Sequence, residues 1–339
     1  MGQNCSTSTC GLSSGFLANE ADLTAPRHQR NNEPVDGVFP SLSRGLAVSD
    51  GRNPMTHGDS SSSQQSQTYF DQDVHELQTL PPSKSSMQEA RPMYTFRNGA
   101  TYHGQWYGNQ RHGAGVQRWP DGAVYVGQWR ANCAEGKGRF VHTDGDVYCG
   151  EWRNNVAHGL GIYRHQKVTS YEGQWQNDLQ HGYGVEIWEE GSRYEGEFKA
   201  GQKDGMGSYL WADSSAYHGR WKGNSINGPG IYEGGDKRKF KGQWKGSMIH
   251  GDGTYSWPDG RKYSGQYLND RKSGFGIFEW PDGRKYKGFW QNGKQHGQGE
   301  FTRDGSTMLA MWAKGKRLEV LDRRSVSDSL EGHALSTPR

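Results

Sequence analysis

The chain has 339 residues, with 40 Lys and Arg against 37 Asp and Glu, a net charge of +3, a hydrophobic fraction of 31% and a mean hydropathy of -1.01. No run of about 20 apolar residues is present, so no segment is expected to span a membrane, and no cleavable signal peptide is found. Composition alone, with 50 glycines, would suggest disorder.

The N-terminus carries an acylation pattern. Met1-Gly2-Gln3-Asn4-Cys5-Ser6 fits N-myristoylation, with Gly2 as the acceptor. One myristoyl chain binds a bilayer only marginally, so stable anchoring needs a second signal. Residues 1–91 contain six Lys and Arg against ten Asp and Glu, which excludes a polybasic patch as that signal. Residues 1–10 are therefore predicted to be an acylation segment with palmitoylation of Cys5 and, as a further candidate, Cys10. A merely disordered leader is the alternative.

The next stretch, residues 11–92, is rich in Ser, Gln, Asn and Pro, as in the run of four serines and two glutamines from Ser60. This composition predicts a disordered, flexible tether. Residues 93–101 then resemble half of the repeat that follows, because Tyr94, Phe96 and Asn98-Gly99 have the spacing of its second strand and turn. We expect this half-repeat to cap the N-terminal edge of a sheet.

Residues 102–308 hold nine copies of one pattern at a fixed period of 23 residues, and such a period determines the fold class. Three columns are glycine in every copy: Gly104 to Gly288, Gly113 to Gly297 and Gly115 to Gly299. A further column is always a large ring. The first aromatic residues of the copies are Tyr102, Tyr125, Tyr148, Tyr171, Tyr194, Tyr217, Phe240, Tyr263 and Tyr286.

Each copy is predicted to be a β-hairpin. Tyr102, Gly104 and Trp106 alternate, so a strand would place them on one face and polar residues on the other. Residues 109–112 are interpreted as the hairpin turn, and the Asp-Gly pairs at 121–122, 144–145, 259–260 and 282–283 as turns into the next copy. The glycine columns would let rings lie over the backbone. The expected fold is all-β: an elongated, twisted antiparallel sheet of stacked hairpins.

Tyr-x-Gly-x-Trp, a short polar turn, His-Gly-x-Gly and Asp-Gly together resemble MORN (membrane occupation and recognition nexus) repeats over about residues 102–308. The resemblance implies cytoskeletal, ciliary or flagellar partners and acidic phospholipids. Known enzymes with similar repeats, such as plant phosphoinositide kinases, carry a separate kinase domain, and the present chain has neither the motifs nor the room for one. No enzymatic activity is expected.

The repeats end in a degenerate copy. Met308, Ala310 and Trp312 resemble a tenth first strand, and residues 309–315 are interpreted as a degenerate last strand. The tail, residues 316–339, contains Leu318, Leu321 and Val326 and is predicted to form at best a short helix.

Three columns could suggest ligand chemistry. The histidines lie in copies about 10 Å apart, whereas zinc ligands converge at about 2 Å, so we interpret them as turn residues. The aspartates are interpreted as turn residues because glycine follows them. The rings could form choline cages, but core packing is favoured. Cys133 and Cys149 suit neither a disulfide nor a metal, and no cofactor or metal is expected. The histidines are His112, His158, His181, His250 and His296.

The copies differ on the face opposite the rings. Later copies carry a stripe of lysines: Lys239, Lys241, Lys262, Lys285 and Lys287. Earlier copies carry an apolar strip: Val124, Val126, Val147, Leu160, Ile162, Val185 and Ile187. Exposed apolar patches commonly mark interaction sites, and the alternative is that the tether or the tail covers the strip.

The leading hypothesis is a membrane-anchored scaffold that binds a cytoskeletal or signalling protein through its repeats. The alternative is a phosphoinositide- or acidic-phospholipid-binding module that uses the lysine stripe. The expected location is the cytoplasmic face of a membrane, with the plasma membrane first and a ciliary, flagellar or cortical site next. No nucleic-acid partner is expected, and a homo-oligomer stays open.

Overall fold

The computed structural model describes residues 69–83, 87–166 and 169–324. The helix α1 (Val74–Thr79) precedes the strands. The predicted acylation residues Gly2, Cys5 and Cys10 lie outside the described residues. The strands are β1 (Gln88–Ala90), β2 (Tyr94–Thr95), β3 (Thr101–Tyr107), β4 (Gln110–Arg118), β5 (Val124–Arg130), β6 (Cys133–Val141), β7 (Val147–Arg153), β8 (Val156–His165), β9 (Thr169–Gln176), β10 (Leu179–Trp188), β11 (Arg193–Lys199), β12 (Gln202–Leu210), β13 (Ala216–Lys222), β14 (Ser225–Glu233), β15 (Lys239–Lys245), β16 (Met248–Ser256), β17 (Lys262–Leu268), β18 (Arg271–Glu279), β19 (Lys285–Gln291), β20 (Lys294–Arg303), β21 (Ser306–Ala313) and β22 (Lys316–Arg324).

The strands form one antiparallel sheet of 22 strands. From β3 to β21 each strand pairs with the strands before and after it in the chain, as in β4 with β5 and β21 with β22. The short strands β1 and β2 both pair with the free edge of β3. Each 23-residue copy therefore contributes one hairpin, and the predicted fold of stacked hairpins is confirmed.

One face of the sheet is a continuous layer of rings, called here the aromatic face. Tyr102 and Trp106 are 0% and 1% exposed and meet edge to face at 5.0 Å. The Tyr102 ring also meets Trp129 of the next copy, at 5.5 Å. Its hydroxyl donates to the carbonyl oxygen of Gln105 at 2.8 Å. The same contacts recur along the sheet, so each copy packs on its neighbour and the core lies on this face.

Two of the three glycine columns lie beneath the tyrosine rings, as predicted. A Cβ added to Gly115 would lie 2.3 Å from the Tyr102 hydroxyl, and one added to Gly104 would lie 2.5 Å from the Cα of Gly115. The third column has a different cause. Gly113 has a φ of 67° in a bulge where three residues of β4 oppose Gln105, whose Oε1 accepts from the Ala114 N–H at 2.8 Å. That conformation favours glycine.

The hairpin turns are shorter than predicted. β4 already begins at Gln110, so the expected four-residue turn at 109–112 was wrong. In the second copy the turn is Ala131-Asn132, with φ of 49° and 71°, which is the type I′ geometry that matches strand twist. The histidine column consequently lies in strands beside the bulge rather than in turns: His112, His158, His181, His250 and His296.

The turns between copies agree with the prediction. Gly122 has a φ of 97°, and Asp121 Oδ1 accepts from the Ala123 N–H at 3.0 Å. A link between copies was not predicted: Asn132 Oδ1 accepts from the N–H of Arg111, 21 residues earlier, at 2.8 Å. The turn of one hairpin thus satisfies the backbone of the previous one.

The two ends of the sheet differ. At the N-terminal edge Tyr94 pairs with Tyr102, and Phe96 is 2% exposed; both residues belong to the segment that the sequence assigned to a half-repeat cap. At the C-terminal edge β22 occupies residues that the sequence assigned at best to a short helix. Lys314-Gly315 adopts φ of 51° and 82°, the same turn geometry as the earlier hairpins, and it returns the chain along β21.

Residues 69–80, called here the covering segment, pack on the aromatic face of the first copies. Phe70 is 0% exposed and Leu77 is 2% exposed. This order differs from the disordered tether predicted for the whole of residues 11–92. Among the described residues, none of the helices has the length and apolar character to cross a membrane.

Candidate functional site

The structure places the predicted lysine stripe on the outer face, which is the face opposite the rings. Lys239, Lys241, Lys262 and Lys287 are exposed and Lys285 is half-buried. They belong to β15, β17 and β19, the first strands of three successive hairpins. The alternation of strand residues therefore brings these side chains together as the sequence suggested.

Glutamates from neighbouring strands partly neutralise the stripe. Lys239 Nζ lies 2.9 Å from Glu233, and its hydrogen bond holds the pKa of that carboxyl below the usual range. Lys285 and Lys287 pair in the same way with Glu279 at 3.1 Å and Glu300 at 3.6 Å. Five lysines against three glutamates leave a surplus of two positive charges. Sequence reasoning missed these partners because each comes from the adjoining hairpin or strand.

The apolar strip also lies on the outer face, over β5 to β10. Val126, Leu160 and Ile187 are 44%, 61% and 42% exposed, and the other members are half-buried. Val147 is paired directly with Val141, which continues the row across β5, β6 and β7. Sequence reasoning overlooked Val141. This residue directly follows Phe140, whose ring lies on the aromatic face, so strand alternation places Val141 on the outer face.

Charged side chains border this strip. Arg139 lies between Val126 and Cys149 in the cross-strand register, and Arg164 lies opposite Val147. Glu172 separates Ile162 from Val185. Five strand spacings of about 4.8 Å put roughly 24 Å between the strip at β10 and the lysines at β15. The two surfaces can thus contact different partners.

The aromatic face contains three buried cations of the chain itself, Arg111, Lys203 and Lys272, which are 0%, 5% and 3% exposed. Lys203 Nζ binds Glu186 at 2.8 Å and lies 4.8 Å from the Trp188 ring. Lys272 Nζ lies 4.5 Å from the Phe278 ring. Cation–π attraction is strongest where water is excluded. The rings that could have formed choline cages enclose these cations of the chain itself. This arrangement agrees with the preferred interpretation that the rings pack as a core.

Arg111 joins the sheet to the covering segment. Its guanidinium lies 3.9 Å from Asp73 and donates to Gln117 Oε1 at 3.0 Å. Gln117 Nε2 in turn donates to Asp73 at 2.8 Å. Burial raises the pKa of Asp73 against the opposing effect of Arg111, and burial lowers the pKa of Arg111 to about 10. Sequence reasoning found neither Asp73 nor Phe70, because residues 69–80 carry no repeat signal.

The remaining candidate groups in the described part of the chain are possible metal ligands and two cysteines. No group of three or more His, Cys, Asp or Glu suited to a metal ion occurs there. Cys133 and Cys149 are half-buried, and neither forms a disulfide bond. Cys133 is the first residue of β6, and burial raises the pKa of its thiol.

A family model for the MORN repeat matches the chain at nine places: residues 102–124, 125–147, 148–166, 171–193, 194–216, 217–237, 240–260, 263–283 and 286–307. The MORN repeat is a non-enzymatic repeat module. A search of curated proteins gave no match.

Several solved structures share some of the sheet geometry. The TCP10 domain of Danio rerio CPAP is 13% identical, with 62% of this chain and 99% of that chain covered and a TM-score of 0.36. The Drosophila melanogaster SAS-4 (dCPAP) TCP domain, in complex with a proline rich motif of Ana2, is 13% identical, with 56% and 96% covered and a TM-score of 0.30. These values are too low to support a functional comparison.

Proposed function

Because the chain belongs to the MORN-repeat family, whose model matches between residues 102 and 307, we propose that it is a non-enzymatic scaffold that holds a protein partner at the cytoplasmic face of a membrane. The repeats provide the binding surface, and the N-terminal segment provides the attachment. The observation that carries the proposal is the apolar strip on a face that takes no part in the core.

The strip is suited to a protein partner. The sheet buries its core on the aromatic face, so folding does not require Val126, Leu160 or Ile187 on the outer face. Covering such side chains gains about 25 cal/mol per Å² of apolar surface. Arg139 and Arg164 border the strip and are exposed. The occupant that fits is an amphipathic helix or strand with apolar residues at its centre and acidic residues at its flanks, and the family suggests a cytoskeletal or signalling protein as its source.

Attachment rests on the N-terminal pattern. We propose that Gly2 is myristoylated and that Cys5, with Cys10 as a second acceptor, is palmitoylated, because two lipid signals give stable anchoring where one does not. The composition of residues 11–68 predicts a flexible tether, which by coil statistics would reach on the order of 40 Å. Such a tether would let the sheet bind a cortical, ciliary or flagellar partner near the plasma membrane.

The lysine stripe is proposed to orient the sheet rather than to anchor it. A lysine near an anionic leaflet contributes about 1 kcal/mol to the binding free energy. Exposed ion pairs contribute only about 0–1 kcal/mol to stability, so the lysines can leave their glutamate partners and pair with lipid phosphates. The three glutamates nevertheless remain at the surface. A surplus of two charges amounts to about 2 kcal/mol. The alternative of an acidic-phospholipid-binding module therefore ranks below the scaffold.

The partner surface is tested by paired substitutions in the full chain. Ile162→Asp with Ile187→Asp places charges in the strip. Met206→Asp with Leu268→Asp makes the same change on the same face, at exposed residues outside both the strip and the lysine stripe. Quantitative co-purification from cells should show that the strip variant loses a specific set of proteins that the control variant retains. If both variants retain the same proteins as the native chain, the strip is not the partner surface.

A further inference from the structure

One position of the repeat controls whether an aromatic pocket is closed from within. The second residue of each second strand lies on the aromatic face, between the rings of its own copy and the next. Its side chain is large in most copies and small in two. The residues at this position are Arg111, Ala134, Ala157, Gln180, Lys203, Ile226, Ile249, Lys272 and Gln295.

Lys272 shows how a large side chain closes the pocket. Its ammonium lies at 5.3, 5.4, 4.5 and 5.1 Å from the rings of Trp257, Tyr263, Phe278 and Trp290. The equivalent rings around Ala134, six copies earlier, are Trp119, Tyr125, Phe140 and Trp152. We call these four rings with Ala134 the aromatic pocket.

Phe70 fills this pocket from outside the repeats. Its ring lies at 5.5, 5.3, 5.9 and 5.6 Å from the same four rings, Trp119, Tyr125, Phe140 and Trp152. A methyl group at position 134 leaves the volume that the Lys272 side chain occupies in the later copy. The small residue at position 134 therefore creates a receptor for an aromatic side chain supplied by another segment.

Polar groups around the pocket fix the direction of the entering chain. Trp119 Nε1 donates to the carbonyl oxygen of Tyr69 at 3.0 Å, and Arg111 Nη2 donates to that of Phe70 at 3.0 Å. The Tyr69 hydroxyl donates to Asp121. Asp73 accepts from Gln117 at 2.8 Å, beside Arg111. Over five residues of the covering segment, the pocket and its surroundings thus recognise two backbone carbonyls, a hydroxyl, a ring and a carboxylate.

We propose that the aromatic pocket is a docking site for a partner segment with two adjacent aromatic residues followed three residues later by an aspartate, and that Tyr69 to Asp73 occupy it in the resting chain. The covering segment lies outside the sheet, so its release leaves the strand pairing intact. The pocket is on the face opposite the apolar strip, so the proposals for the pocket and for the partner surface can be refuted independently of each other.

The covering segment competes with a partner segment for the aromatic pocket and thereby regulates binding of the partner. Only seven residues of the chain separate the covering segment from β1, and this covalent connection gives the segment an effective concentration on the order of 1 mM. A free peptide with an intrinsic Kd of about 10 μM would then bind the closed protein about a hundredfold more weakly than the open one. A partner must either bind tightly or act when the covering segment has been released.

The test uses the full chain and a fluorescent peptide of residues 66–83, followed by anisotropy. Phe70→Ala opens the pocket, and Phe275→Ala removes a ring from the outer face as a matched control. The peptide should bind Phe70→Ala about tenfold or more tightly than the native chain or the control. Adding Ala134→Ile to Phe70→Ala should abolish binding, because isoleucine closes the equivalent pocket at Ile226 and Ile249. Equal binding to the native and Phe70→Ala chains, or binding that survives Ala134→Ile, would overturn the proposal.

A second measurement covers the case in which Phe70→Ala does not fold. Ala134→Ile alone introduces the residue that the chain itself uses at Ile226, so the repeats should fold and exclude Phe70. Hydrogen exchange should then lose protection at the amides of residues 70–80 and keep it in β5 to β8. Retained protection at residues 70–80 in Ala134→Ile would show that the segment is a fixed part of the fold, and the proposal would be wrong.

Discussion

Replacing Trp175 with alanine should weaken the sheet more than the same change at Trp312. Trp175 is 2% exposed, meets Tyr148 and Tyr171 at 5.2 and 5.1 Å, and donates to the Gly161 carbonyl oxygen at 3.1 Å. Truncating a buried tryptophan costs about 3–5 kcal/mol, and the lost hydrogen bond adds about 1 kcal/mol.

Trp312 lies in the degenerate last copy and is only half-buried. Its ring meets Tyr286 at 5.4 Å and Phe301 at 6.2 Å, and within the residues that the structure describes no further repeat packs beyond it. Partial exposure lowers the expected cost to about 1–3 kcal/mol.

Urea unfolding followed by circular dichroism measures the difference. Because copies are coupled to their neighbours, Trp175→Ala should lower the midpoint of the whole transition or divide it into two steps. Trp312→Ala should affect only the C-terminal hairpins. Equal shifts for the two variants would contradict the model of a sheet stabilised by ring packing between copies.

Three further outcomes are expected. Gly2→Ala should move the protein from the membrane fraction to the cytosolic fraction and Cys5→Ser should weaken its retention; unchanged fractionation of Gly2→Ala would remove the basis for anchoring. Burial raises the pKa of column tyrosines such as Tyr102 and Tyr171 above the usual 10.0, so stability should be full below that pH and fall above it by about 1.4 kcal/mol per pH unit for each buried phenol. Ionisation of Tyr102 or Tyr171 near pH 10.0 without loss of strand signal, followed by residue-resolved NMR, would contradict this. Charge reversal of the lysine stripe should lower binding of unacylated protein to anionic vesicles, with strong dependence on salt, and equal binding to anionic and neutral vesicles would remove the electrostatic role. The reversed residues are Lys239, Lys241, Lys262, Lys285 and Lys287.

The period and the alternation of rings with glycine were sufficient to predict the sheet. Tyr102, Gly104 and Trp106 share a face because strand geometry leaves no other arrangement. The turn at residues 109–112 was misplaced because a bulge in β4 adds two residues opposite Gln105. Two added residues preserve the alternation of faces, so the assignment of faces was correct although the turn was not.

The outer face could be predicted only in part. Alternation within a single strand is enough to place the lysines and valines on the outer face. The pairing of Lys239 with Glu233, by contrast, requires the register between two hairpins. The covering segment is harder still, since nothing in residues 69–80 repeats. The available signal is indirect: Ala134 is small at a position that is large in most copies, and a closely packed core then requires a side chain from elsewhere, here that of Phe70, to fill the space.

The scaffold proposal requires that one chain bring a membrane and a protein partner together. Proximity labelling in cells tests this most directly, with the native full chain compared with Gly2→Ala, with Ile162→Asp plus Ile187→Asp, and with the control Met206→Asp plus Leu268→Asp. Gly2→Ala should lose labelled membrane proteins. The strip variant should stay at the membrane and lose a set of cytoskeletal or signalling proteins that the control keeps. A strip variant that labels the same proteins as the native chain would contradict the central claim.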